Sequence, residues 1–163
     1  MELCRFYFIH DVYFKEFNDP HLMGNHKRNG NRIHNRPYFF SLIDEETGLL
    51  WMIPVSSKVE KYEIIYQHKI KRNGRCDTLY FGNVLGYKKA FLLQNMCPIN
   101  ERYIQNIYLN SNHEPVLLDR KTEIELVAKA KFVLGLHKRG YDIIFPNVRL
   151  IESKLLDEKL SNF

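Results

Sequence analysis

The chain has 163 residues, 45% of them hydrophobic and 26% charged, with a formal net charge of +5 and a pI near 9.0. Those values describe one globular domain over residues 1–163, large enough for a hydrophobic core, with a charge balance that favours a polyanionic partner over an acidic one. They exclude much else. No apolar run is long enough to cross a membrane, and the N-terminus, with Glu2, lacks a secretory layout, so a cytoplasmic location is expected. Cys4, Cys76 and Cys97 are scattered and odd in number, which reads as reduced thiols rather than a disulfide frame or a zinc knuckle.

Residues 2–9 predict a strand rich in aromatics. A short helical turn follows from His10 and Asp11 to Phe17, and Asn18-Asp19-Pro20 stops it. From His21 to Arg36 there is almost nothing apolar. Gly24, Asn25, Asn29, Gly30 and Asn31 are turn formers. His26, Lys27, Arg28, Arg32, His34 and Arg36 carry positive or protonatable groups, and no acid lies among them. Such a loop is either a surface insertion or a segment whose arginines meet backbone phosphates.

Residues 38–43 predict a second strand, 44–48 a hairpin turn and 49–55 an antiparallel return. Pro54 lacks a ladder donor, so it belongs at an edge or where pairing stops. Ser57 to Ile70 has a helical pattern, and Ser57 with Glu60 matches a capping box. Lys69, Lys71, Arg72 and Arg75 crowd the far end. There they suit the negative pole of the helix as well as they suit an external anion. Asn73-Gly74 ends it. Strands are expected over 78–85 and 87–96, with a short element near 103–109. Thr122 and Glu125 match a second capping box, opening a helix that ends at Gly140. A last amphipathic helix covers about 148–160. Strands early and helices late give an α+β class: a strongly twisted antiparallel sheet or partial barrel, with helices packed around it and mostly C-terminal.

The stretch Trp51 to Tyr62 concentrates the chemistry. An apolar strand runs through Pro54 into Ser56, Ser57, Lys58 and Lys61 at the start of a helix. Backbone N–H groups and ammonium groups at such a corner suit a phosphate. Metal-free RNA cleavage needs a base for the 2′-hydroxyl, charge stabilisation at phosphorus and an acid for the 5′-oxygen. The corner supplies the second, and Ser56 or Ser57 would orient the phosphate or ribose. Structural alternatives remain open: Ser57 as a cap, and Lys58 and Lys61 as a solvated face. His10 and His34 are the acid/base candidates because histidine titrates near neutrality. Tyr38 beside Arg36 would stack a base or bond a phosphate, with core packing as the other reading. The expected RNA contacts are Arg32, Asn35, Arg36, Tyr38, His10, Lys27, Arg28, Arg72 and Arg75. No clustered metal-ligand pattern, Walker loop, GxGxxG or GxSxG occurs, so no metal or cofactor is expected.

Trp51-Met52-Ile53-Pro54-Val55-Ser56-Ser57-Lys58, the run Phe91 to Ile99, and Arg36-Pro37-Tyr38 entering a strand resemble the ToxN/AbiQ group of type III toxin–antitoxin toxins, and within it the CptN/TenpN-like branch. The resemblance spans about residues 3–157. It implies a metal-independent endoribonuclease with a twisted antiparallel sheet, which cuts by 2′-hydroxyl attack and leaves a 2′,3′-cyclic phosphate. It implies that the antitoxin is a repeated small RNA, processed by the toxin and folded as pseudoknots. That RNA would close a protein–RNA ring that blocks the active sites, in some members as a phage defence. The family's hydroxyl pair falls on Ser56 and Ser57, and its lysine on Lys58 or Lys61. The alternative function is a structured-RNA-binding protein that does not cut.

Overall fold

The computed structural model describes residues 1–27 and 33–162, and the side chains of these apart from 26, 27, 33 and 34. Arg28 and Arg32, and the side chains of Lys27 and His34, therefore lie outside the described residues.

Strand β1 runs Phe6–Ile9. It is shorter than the expected strand from Glu2, because Cys4 takes φ 60 and turns the chain before pairing begins. Helix α1 is Asp11–Phe17. The polar stretch after it is not featureless: β2 (His26–Lys27) and β3 (Ile33–His34) pair antiparallel as a short hairpin. β4 (Tyr38–Ile43) and β5 (Leu50–Ser56) follow. Helix α2 is Val59–Asn73, and Gly74 closes it at φ 75, a left-handed conformation that suits glycine. β6 is Leu79–Val84 and β7 Tyr87–Leu92.

The expected strand to Met96 stops at Leu92, because a 3-10 turn, Leu93–Asn95, breaks the extended run. β8 (Cys97–Ile99) and β9 (Ile104–Ile107) flank a second such turn. α3 (Arg120–Lys138) and α4 (Val148–Ser161) complete the chain. The Thr122–Glu125 capping box does not form. Asp119 caps α3, accepting from the Thr122 N–H at 3.0 Å and the Thr122 hydroxyl at 2.6 Å. A carboxylate three residues earlier does the capping that the hydroxyl was expected to do.

The result is α+β. The seven-stranded antiparallel sheet has the order β6-β7-β5-β4-β1-β9, and β8 also pairs with β5. It is not closed into a barrel. Among the described residues four α-helices pack around it, two of them C-terminal. Every residue of β5 is buried, because both faces of this central strand are covered. Trp51, Ile53 and Val55 join Phe39, Leu126, Ala130 and Val133 in the cluster beneath α3. Leu50 and Met52 alternate to the other face, with Tyr38, Phe40, Tyr13, Ile151 and Leu155. A third cluster seats α2 through Tyr62 on Leu79, Ala90 and Leu92.

Pro54 illustrates the pairing. The Val55 N–H donates to Pro37 O on the β4 side, so alternation turns residue 54 the opposite way. On that side β8 pairs Leu50 to Met52 and β7 pairs Val55 and Ser56. Proline thus stands in the gap between two partners, where no ladder donor is required.

The turn into β5 is held from α3. Asp44 is buried and accepts from Lys138 Nζ at 2.6 Å, the Glu46 N–H at 3.1 Å and the Thr47 hydroxyl at 3.0 Å. Burial alone raises the carboxyl pKa. The three donors outweigh it, so the pKa lies below the ordinary value. A depressed folded pKa contributes stability above the unfolded pKa of about 3.9, and loses it as pH falls through the folded value. Asp44→Asn should therefore lower the melting temperature at neutral pH, and the gap from wild type should close as pH falls below about 4. Thermal unfolding across pH measures this; a gap that persists in acid would refute it.

Candidate active site

Strand register builds the site. Tyr7 pairs with Tyr38, and Tyr38 with Pro54. Beyond these pairs, His10 just past β1, Asn35 just before β4 and Ser57 just past β5 form a row at one end of the sheet. On the far side of β5, Ser56 pairs with Ala90, which brings Lys89 to the level of Ser57. Lys89 extends the row on the far side of Ser57. The hairpin of β2 and β3 leads directly into Asn35 at this end.

The row is tied together by hydrogen bonds. Asn25 donates to Ile9 O at 3.0 Å and to Asp11 Oδ1 at 2.8 Å, and accepts from the Arg36 N–H at 3.0 Å. Asn35 donates to Gln105 Oε1 at 3.1 Å. Arg36 is buried, and its guanidinium donates to Val55 O at 2.8 Å. Burial draws its pKa down, against the opposing pull of Tyr38 and Tyr62. Tyr38 is fully buried and its hydroxyl donates to Met23 O. The expectation that Tyr38 stacks a base and Arg36 meets a phosphate is corrected here. Both pack inside and hold the main chain that frames the row.

At the corner itself Ser56 is buried and its Oγ accepts from the Lys58 N–H at 3.2 Å. Ser57, Lys58 and Lys61 are exposed. Lys89 Nζ donates to Ser57 Oγ at 2.8 Å, which leaves the serine proton available to a ligand. The capping box expected of Ser57 and Glu60 is absent. α2 starts one residue later than that box requires, and Lys58 is its N-cap, with no side-chain cap bond. A lysine is a poor N-cap, and its charge opposes the positive pole of the helix. The fold gains nothing from a cation at this position, whereas an anion docked there would.

Of the sequence candidates, Ser56, Ser57 and Lys58 form the corner and Asn35 and His10 lie at the same end of the sheet, with Lys61 about one turn along α2. Arg72 and Arg75 are not. They sit at the other end of α2, about 20 Å away at ~1.5 Å per residue, and Arg75 is paired with Asp77 at 2.7 Å. Sequence reasoning passed over Lys89, Asn25 and Gln105. Lys88-Lys89 within an otherwise apolar strand was the available signal, but only register says that Lys89 meets Ser57. Among the described residues no group of three or more His, Cys, Asp or Glu side chains is placed to hold a metal ion, and no helix is long and apolar enough to cross a membrane.

No family model matches the sequence, and no curated protein matches it. Among solved structures the chain is similar to AbiQ, a lactococcal anti-phage endoribonuclease of the type-III toxin–antitoxin system. The TM-score is 0.69 at 15% identity, covering 98% of this chain and 99% of that one. At that identity the shared property is the fold, over essentially the whole of both chains.

Lys58→Asp should stabilise the protein by about 0.3–1 kcal/mol through the helix dipole. Chemical denaturation measures it. A variant no more stable than wild type would remove the argument that Lys58 is kept against the interest of the fold.

Proposed function

We propose that this protein is an endoribonuclease toxin of a type III toxin–antitoxin system, of the CptN/TenpN-like branch. The observation that carries the reading is the row of His10, Asn35, Ser57 and Lys89 beside Lys58 at one sheet end, on a fold shared with an endoribonuclease. The row offers what a scissile phosphate needs. Lys58 and Lys89 carry positive charge beside the start of α2, whose N–H groups point at the same volume. Ser57, held by Lys89, donates its own proton to a non-bridging phosphate oxygen. Lys61 adds charge one turn further on.

The reaction then follows from RNA chemistry. The 2′-oxygen bonds to phosphorus as the phosphorus–O5′ bond breaks, leaving a 2′,3′-cyclic phosphate and a free 5′-hydroxyl. No metal ion is required. A base takes the 2′-proton and an acid supplies one to the 5′-oxygen. We assign one of these roles to His10 and the other to His34, one residue before Asn35 in the chain. In this reading a repeated small RNA is both substrate and inhibitor: the toxin cuts it into pseudoknot units, which remain in the row and close a protein–RNA ring. Cellular messages are the other substrate, and phage defence is the associated role.

The test is end analysis of RNA incubated with purified protein in EDTA. New 2′,3′-cyclic phosphate ends are expected. Lys58→Ala and Lys89→Ala should each slow cleavage by about 10²–10³-fold, the usual effect of deleting one charge-stabilising donor, with folding retained. RNA that is bound but stays intact would instead support the non-cutting alternative. Full cleavage by the Lys58→Ala, Lys89→Ala double variant would dismiss this corner.

A further inference from the structure

A second feature lies at the opposite end of α2, outside the row. Lys58, Lys61, Ile65, Lys69 and Arg72 fall on one stripe of the helix, with His68 on its flank and no acid among them. Residues 58 and 69 are eleven apart, about 17 Å along the axis at ~1.5 Å each. At its far end the stripe meets Phe145. Lys69 Nζ lies 5.8 Å from the centre of that ring, and the His21 ring makes an edge contact at 6.0 Å.

Lys69 is unusual. It is half-buried and donates to Thr78 Oγ1 at 2.7 Å and Gln94 Oε1 at 3.0 Å, both neutral acceptors. No carboxylate pairs with it among the described residues. Phe145 is 49% exposed, yet it is anchored, because its N–H donates to Gln94 O at 2.7 Å. It also walls a cavity of about 450 Å³ with Asp142, Asn147 and Arg149. That volume is within the range of small-ligand sites.

We propose that this cavity takes one unpaired nucleobase of a bound RNA strand, stacked on Phe145, while the basic stripe of α2 carries the phosphates leading to it from the row. The inference rests on the RNA-cutting reading above and adds a remote base subsite to it. The charges assign the parts. Asp142 disfavours a phosphate inside the cavity but accepts hydrogen bonds from a base edge. Asn147 uses its Oδ1 to cap the Leu150 N–H, so it meets a ligand as a donor. Arg149 lines the cavity but donates to His137 O at 2.9 Å, and the cations of α2 lie along the stripe, where the backbone would run. Asp19, the nearby acid, is already engaged by the His21 and Asn147 N–H groups at 2.8 Å each. The span from Lys58 corresponds to about five stacked nucleotides at ~3.4 Å, and fewer when the strand is stretched.

The probes are 2′-O-methyl oligonucleotides, which cannot be cut, in homopolymers of each base, together with an abasic strand of equal length. In titrations with the full-length protein, Phe145→Ala should weaken binding of at least one base-bearing strand by about fivefold to a hundredfold, the usual effect of losing one stacked base. It should leave the abasic strand unaffected. Phe145→Trp should bind like wild type and show quenched tryptophan emission, readable because Trp51, the sole natural tryptophan, is fully buried. If wild type binds but Phe145→Ala binds equally well, or the new tryptophan is unquenched, the subsite is overturned and the row at the other end still stands. If wild type binds none of the strands, the RNA reading fails and takes the subsite with it.

Discussion

Arg36 is a positive charge almost sealed from water, and its guanidinium donates to the carbonyl of Val55, near the end of the most deeply buried strand. Burying a charge is tolerable only when hydrogen bonds compensate it. Here the compensation comes from the main chain that leads into Ser56 and Ser57. The same residue gives its N–H to Asn25, which reaches back to the end of β1 and the start of α1. One buried arginine therefore sets the relative positions of the β1 end, the β4 start and the β5 end. Those three chain ends are the frame of the candidate active site.

The sheet behind that frame is covered on both faces, which explains its composition. β4 and β5 read as continuous apolar runs rather than an alternation, because α3 covers one face and α1 and α4 the other. Such a sheet has little freedom to slip, since a shift by one residue would exchange the occupants of two different cores. Register is thereby firmly specified, and register is what brings Ser57 level with Lys89 and puts the ends of β1 and β5 on the same side of the sheet. The core supplies rigidity, and the open sheet end supplies access.

Helix α2 shows where local preference gives way. Its N-terminus has a lysine where a serine, aspartate or asparagine would serve the helix better. Exposed positive charge continues along one stripe, and at its far end Lys69 sits half-buried between two neutral acceptors. Each is a small loss for the isolated fold. Together they make a surface suited to a polyanion, and local rules are expected to fail where function is placed.

Much was legible in the sequence. The Tyr38–Ile43 strand, the turn after it, the β5 run and the α+β class follow from apolar periodicity and turn residues, which act over a few neighbouring positions. The Ser56-to-Lys61 corner was legible too, because a strand-to-helix junction and its charges are local. What tertiary structure alone decided was which of those polar groups face outward together. Tyr38 and Arg36 read as surface contacts but are buried, because the 23–25 segment folds over them and accepts their hydrogen bonds. Ser57 reads as a helix cap but is turned to Lys89, thirty-two residues away. Hydrogen-bonding partners at that separation are set by strand register and core packing, and those forces leave no mark in the spacing of neighbouring residues.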